Sequence, residues 1–156
     1  MRAEHRLDLW IRHLALLAAR RDGDPEESAW VGKPKKGKVE IVRLGPIEAD
    51  PREILSHLVG LYMRGLSEPL RLFPHPSLDY ATTRRKAGEG ADRSGLEKAR
   101  KAWDEDLKHR NARTIAAERI FSFPGVFEEG GPDAPDGFRA LSLAVLGPYL
   151  DAEGAP

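Results

Sequence analysis

Apolar residues spaced three and four apart, in four separate segments, constrain the fold of this chain more than any other feature of it. In residues 6–21, Leu7, Trp10, Ile11, Leu14, Leu17 and Ala18 share one helix face. Arg20 and Arg21 suit the C-terminal end of that dipole, and Asp22-Gly23-Asp24-Pro25 ends the helix. Asp50-Pro51-Arg52-Glu53 is a helix start: Asp50 caps, Pro51 stands where no amide donor is needed, and Glu53 takes the capping-box position. This second helix is expected to reach Arg64, with Gly65 just beyond it, and to bury Ile54, Leu55, Leu58, Val59 and Tyr62. Leu96, Ala99, Trp103 and Leu107 mark a third. Phe138, Leu141, Val145 and Tyr149 outline a last one, after a Gly/Pro-rich loop.

Strand signals are fewer. Residues 29–31 and 38–44 flank Gly32-Lys33-Pro34-Lys35-Lys36-Gly37; Val39 and Ile41 alternate with Lys38 and Glu40, although Val42 breaks the period, so the two segments read as a hairpin. Leu70-Arg71-Leu72-Phe73 reads as one short strand, stopped by Pro74-His75-Pro76. The polar residues 82–95 are expected to form a mobile surface loop. The sum is a helix-rich α/β or α+β domain with a small sheet. A length of 156 residues supports one such domain over 1–156 and hardly a second.

Charge and composition narrow the chemistry. With 25 basic and 25 acidic residues the chain has no net field to hold a polyanion, so any DNA contact has to come from local patches or from a surface shared with a partner. The lack of cysteine removes disulfides, thiolate zinc sites and cysteine nucleophiles, and fits a reducing, cytoplasmic setting. No apolar run approaches the roughly 18 residues of a membrane span, and the first residues lead into an amphipathic segment, unlike a signal peptide. The helix near Met1 and the ending Gly154-Ala155-Pro156 are what an excised domain would show.

Catalytic patterns are incomplete. None of His5, His13, His57, His75 and His109 has a second ligand at helical spacing, and each reads as a surface or helix-face histidine, so no metal is expected. Gly88-Glu89-Gly90 lacks the Gly and Lys of a phosphate loop, and no Gly-x-Ser-x-Gly elbow occurs; no cofactor is implied. Asp104-Glu105-Asp106 lie consecutively on a helix, about 100° apart, and read as a solvated face. A metal-dependent nuclease needs paired carboxylates at a sheet edge, with a lysine two residues beyond the second. The nearest match, Glu40-Ile41-Val42, has valine at the lysine position and no carboxylate on 29–31. Catalytic residues are therefore expected to be absent. Lys33, Lys35, Lys36 and Lys38 beside the turn, with Arg84 and Arg85 in the polar stretch, have two readings: solubilising charge, or phosphate contacts along a channel. Further cations surround the Trp103 helix.

The run Leu61-Tyr62-Met63-Arg64-Gly65-Leu66-Ser67-Glu68-Pro69-Leu70-Arg71-Leu72-Phe73-Pro74 resembles a stretch near the C-terminus of RecC proteins, the exodeoxyribonuclease V gamma chains. His5-Arg6-Leu7-Asp8-Leu9-Trp10-Ile11-Arg12-His13-Leu14, Ser77-Leu78-Asp79-Tyr80-Ala81, Ala99-Arg100-Lys101-Ala102-Trp103 and the segment 138–150 agree with that family in order and spacing. The resemblance implies a PD-(D/E)XK nuclease-like fold that is catalytically degenerate, with residues 38–44 matching the strand that carries the carboxylate in true nucleases. It also implies a place in the RecBCD complex beside RecB and RecD, and sequence-independent contact with DNA. The resemblance covers the C-terminal region of a RecC subunit and not its large helicase-like portion, so it implies nothing for this chain about the whole subunit's activities, Chi recognition among them.

Overall fold

Helix α1 (Ala3–Ala19) follows the first apolar face, but its buried side is centred on Leu9, Trp10, His13 and Leu14. Ile11, 100° around the helix from Trp10, is exposed. The helix ends two residues before Arg21. Asp24 Oδ2 accepts from the Arg21 amide at 2.9 Å, and Gly23 takes a positive φ of 90° in the turn. The computed structural model describes residues 2–32, 39–109, 111–121, 125–127 and 134–153. These form two compact units, Met1–Arg64 with Pro148–Pro156, and Gly65–Gly147.

In the first unit, β1 (Ser28–Val31) and β2 (Ile41–Leu44) pair antiparallel, as the hairpin reading expected. Ser28 faces Leu44 and Val31 faces Ile41. Val42 and Leu44 point inward, while Ile41 and Arg43 are exposed. His13, expected at a surface or on a helix face, lies on the buried face of α1 and is fully buried, with its ring stacked on Trp10 at 5.9 Å. Trp10 meets Tyr149 edge-on at 6.2 Å, and the Arg6 guanidinium bonds to both Tyr149 Oη and Glu153. Tyr149 is fully buried, and burial pushes its phenol well above the ordinary range.

Helix α2 (Pro51–Gly65) starts as expected: Asp50 Oδ1 accepts from the Arg52 amide at 2.8 Å. Its buried phase differs from the expected one. Leu61 is its buried residue, Leu58 is half-buried, and Val59 and Tyr62 are exposed at 58% and 67%. The helix is apolar over more than half its circumference, so periodicity left two rotations available and packing selected one.

The second unit corrects two expectations. Residues 70–73 form no strand, and Pro74 begins a helix, α3 (Pro74–Ala87), in place of stopping a strand. Proline at the first helical position sacrifices no hydrogen bond. Ser77 closes the turn, its Oγ accepting from the Phe73 amide at 3.1 Å. The polar residues from Thr82 are not a loop: they continue α3 until Gly88, whose φ of 73° ends it. A 3-10 turn (Glu89–Ala91) leads into α4 (Asp92–Lys108), then α5 (Ala112–Ile120), a 3-10 turn (Gly125–Phe127), and α6 (Phe138–Glu153), whose last residues, from Pro148, belong to the first unit.

Phe73, Tyr80, Leu96, Trp103, Phe121, Phe127 and Phe138 form the core of this unit. Phe73 lies edge-on to Trp103 at 4.9 Å, and Phe127 edge-on to Phe138 at 4.6 Å. α3 and α4 approach closely because Gly95 has no side chain: a Cβ there would lie 2.9 Å from the Tyr80 ring. Among the described residues the architecture is six α-helices with a two-stranded antiparallel sheet, a helix-rich α+β arrangement.

Candidate nucleic-acid interface

Four of the six cations expected to meet phosphate, Lys33, Lys35, Lys36 and Lys38, lie outside the described residues. Arg84 and Arg85 occupy the last turn of α3 with Lys86, where the helix dipole favours positive charge. Arg84 is half-buried; its Nη1 donates to the Gly88 carbonyl at 3.1 Å, satisfying the end of its own helix. Arg85 is exposed. Consecutive helical residues project about 100° apart, so the two guanidiniums do not make one clamp. Further cations stand on α4. Lys98 and Lys101 are exposed, and Arg93 pairs with Glu97 at 3.4 Å one helical turn away.

Glu40, the residue that the sequence set against a nuclease carboxylate, lies one residue before β2 begins. Val42, set against the nuclease lysine, is buried and Leu44 fully so. A lysine placed at 42 would project into apolar packing, where an ammonium is costly.

The described titratable groups gather elsewhere. His75, at the start of α3, has Nδ1 2.9 Å from Asp106 Oδ1, and Thr114 Oγ1 donates to the other oxygen of that carboxylate at 3.3 Å. Asp106 is therefore a half-buried partner of His75 and departs from the solvated-face reading, whereas its neighbours Asp104 and Glu105 are exposed and His75 itself stays partly exposed. Asp79 lies nearby. Burial pushes its carboxyl above the usual range, which His75 and Lys98 partly oppose. Tyr80 Oη donates to Asp92 at 2.6 Å, and the Arg139 guanidinium flanks the same carboxylate at 3.5 Å. Burial, then Asp92, push that phenol strongly up. No group of three or more His, Asp or Glu among the described residues is arranged to hold a metal ion. No described helix is long and apolar enough to cross a membrane.

The sequence offered a usable signal for one missed element: Asn111 precedes α5 and its Oδ1 accepts from the Arg113 amide at 3.1 Å, an ordinary cap. It offered none for the His75–Asp106 pair, whose members are 31 residues apart.

Compared with known proteins, residues 1–85 match the profile of the RecC C-terminal domain. That span takes in α1, the hairpin, α2 and most of α3. No curated protein and no solved structure matches the chain.

Proposed function

The chain belongs to the RecC C-terminal domain family, and on that premise we propose that it acts as a non-catalytic scaffold domain, 1–156, of the RecBCD (exodeoxyribonuclease V) complex in double-strand break repair and recombination. The family match is the observation that carries the reading. In the complex the domain assists duplex splitting, guides a separated strand and contacts RecD, with RecB as the other protein neighbour. DNA contact runs through phosphates at Lys33, Lys35, Lys36, Lys38, Arg84 and Arg85, because a strand that slides past must not be read base by base. The fold is proposed to be a degenerate PD-(D/E)XK scaffold in which β2 takes the place of the catalytic strand. The inward, apolar positions of Val42 and Leu44 support that loss of chemistry.

The test is co-purification of the remaining subunits with and without this chain, together with unwinding measurements. RecD retention and unwinding should both fall when it is omitted. Equal retention and equal unwinding in its absence would reject the scaffold role. A second reading, a protein-interaction module without DNA contact, is favoured by the exposed apolar residues Val59, Tyr62 and Met63 on α2.

A further inference from the structure

The chain passes between its two units at two points, from Arg64 to Gly65 and from Gly147 to Pro148. The second point lies inside a helix: residues 138–147 of α6 belong to the second unit and residues 148–153 to the first. Each part of α6 is anchored in its own core. Phe138 is fully buried against the rings of Phe73, Tyr80 and Phe127. Beyond the boundary, Tyr149 is fully buried beside Trp10, and the Ala152 carbonyl accepts from the Gly45 amide at 3.0 Å.

The backbone of α6 is weakest at the boundary itself. Pro148 stands inside the helix, with no amide to offer the Ala144 carbonyl one turn back and a ring that crowds it. Ala144 is exposed, so water reaches the opened turn. The residue before the proline is Gly147, and glycine inside a helix is costly relative to alanine. Neither usual reason for keeping one applies: Gly147 has no positive φ, and a Cβ on it would meet nothing within 4 Å. What it supplies is backbone freedom next to a missing hydrogen bond. The other crossing adds no stiffness, because Gly65 is the last residue of α2 and residues 65–69 are all exposed.

We infer that Gly147–Pro148 is a hinge at which α6 bends, so that the two units turn as separate bodies while the exposed stretch 65–69 follows. A few torsions in or at the end of an element absorb motions of this kind. The inference goes beyond the scaffold reading and does not depend on it, since it is measured on the chain alone.

The chain has no cysteine, so introduced cysteines are the only sites that take a thiol-directed spin label. Ser56→Cys in α2 with Lys101→Cys in α4 puts one exposed label on each unit, and Lys101→Cys with Glu118→Cys in α5 puts both on the second. Distance distributions are read by double electron–electron resonance on the full chain. The pair across the units should be clearly broader than the pair within one unit. Combining Gly147→Ala with Pro148→Ala, which restores the amide donor, should narrow the broad distribution by about twofold. Gly147→Ala alone adds a methyl in open space; it should narrow the distribution in part, and it carries the test if Pro148→Ala disturbs packing. Gly60→Ala is the control, because Gly60 is also mid-helix with nothing within 4 Å of a Cβ but lies inside the first unit, so it should strengthen a helix and leave the width unchanged. The hinge is overturned if the two parental distributions are equally narrow. It is equally overturned if neither variant at 147 narrows the broad one, or if Gly60→Ala narrows it as much.

Discussion

His13 Nε2 lies 3.0 Å from the carbonyl oxygen of Gly45, and since a carbonyl only accepts, that nitrogen carries the proton. In the neutral ring Nδ1 is then an acceptor, and the Ser28 hydroxyl 3.0 Å away donates to it. One buried imidazole thus joins α1 to the start of β1 and the end of β2. Burial pushes its pKa below the ordinary 6.5, against the opposing pull of the Gly45 carbonyl.

A depressed histidine pKa means that the unfolded chain binds the proton more readily. The stabilising contribution is complete above pH 6.5 and is lost progressively as pH falls from there toward the lower folded value. Asp79 acts with the opposite sign in its own range, because burial raises its pKa from 3.8. The difference between the parental chain and His13→Gln removes that common term. Denaturation midpoints measured between pH 8 and pH 5 should converge as pH falls, about where histidine titrates; a constant difference across the range would show that His13 does not titrate in this window.

Leu61 is buried and Tyr62, its neighbour on α2, is 67% exposed. Leu61→Ala should cost on the order of 2–5 kcal/mol as a core deletion. Tyr62→Ala should stay within about 0.5 kcal/mol, as a surface change does. Chemical denaturation of the two variants reads the phase of the helix directly, and equal costs would contradict it.

Gly95→Ala opposes two effects. Alanine is favoured over glycine inside a helix by about 1 kcal/mol, but its Cβ would stand 2.9 Å from the ring of Tyr80, which is fully buried. The Tyr80 hydroxyl is also held by Asp92 at 2.6 Å, so the ring has little freedom to withdraw. Net destabilisation of about 1–3 kcal/mol is expected. A rise in the thermal midpoint would mean that α3 and α4 separate without cost.

Replacing Lys33, Lys35, Lys36 and Lys38 with alanine in the assembled complex should weaken single-strand binding and reduce the log-log salt slope by about 0.7 per lysine that truly meets a phosphate. Sequence preference should not change. If affinity, slope and unwinding stay at parental values while the complex remains intact, the turn is only solubilising.

If the proposed nuclease-like reading of β2 holds, the isolated chain should show no magnesium-dependent DNA cleavage, because that reading sets the buried Val42 where the lysine would stand. The decisive contrary result is robust cleavage that disappears in Glu40→Gln.

The sequence by itself determined the elements whose signals are local: α1, the hairpin, the Asp50-Pro51 start of α2, the Trp103 helix and the last helix all arise from periodicity, capping residues and turn chemistry within a few residues of one another. The RecC resemblance was legible for the same reason, as ordered short blocks. Only tertiary structure decided which face of α2 is covered, since a helix with apolar residues around more than half its circumference has more than one rotation that hides some of them. It also decided that Pro74 initiates α3. A proline after an extended segment both ends a strand and fits a first helical turn, and the burial of Ser77, Tyr80 and Ala81 on one side selects the helix. The polar residues from Thr82 onward continue a helix whose buried side is Tyr80, Ala81 and the close approach at Gly95, a contact that exists only once α4 is in place. His13 and the His75–Asp106 pair were illegible for the same physical reason: a buried polar group is satisfied by partners far away in sequence, and local pattern carries no record of them.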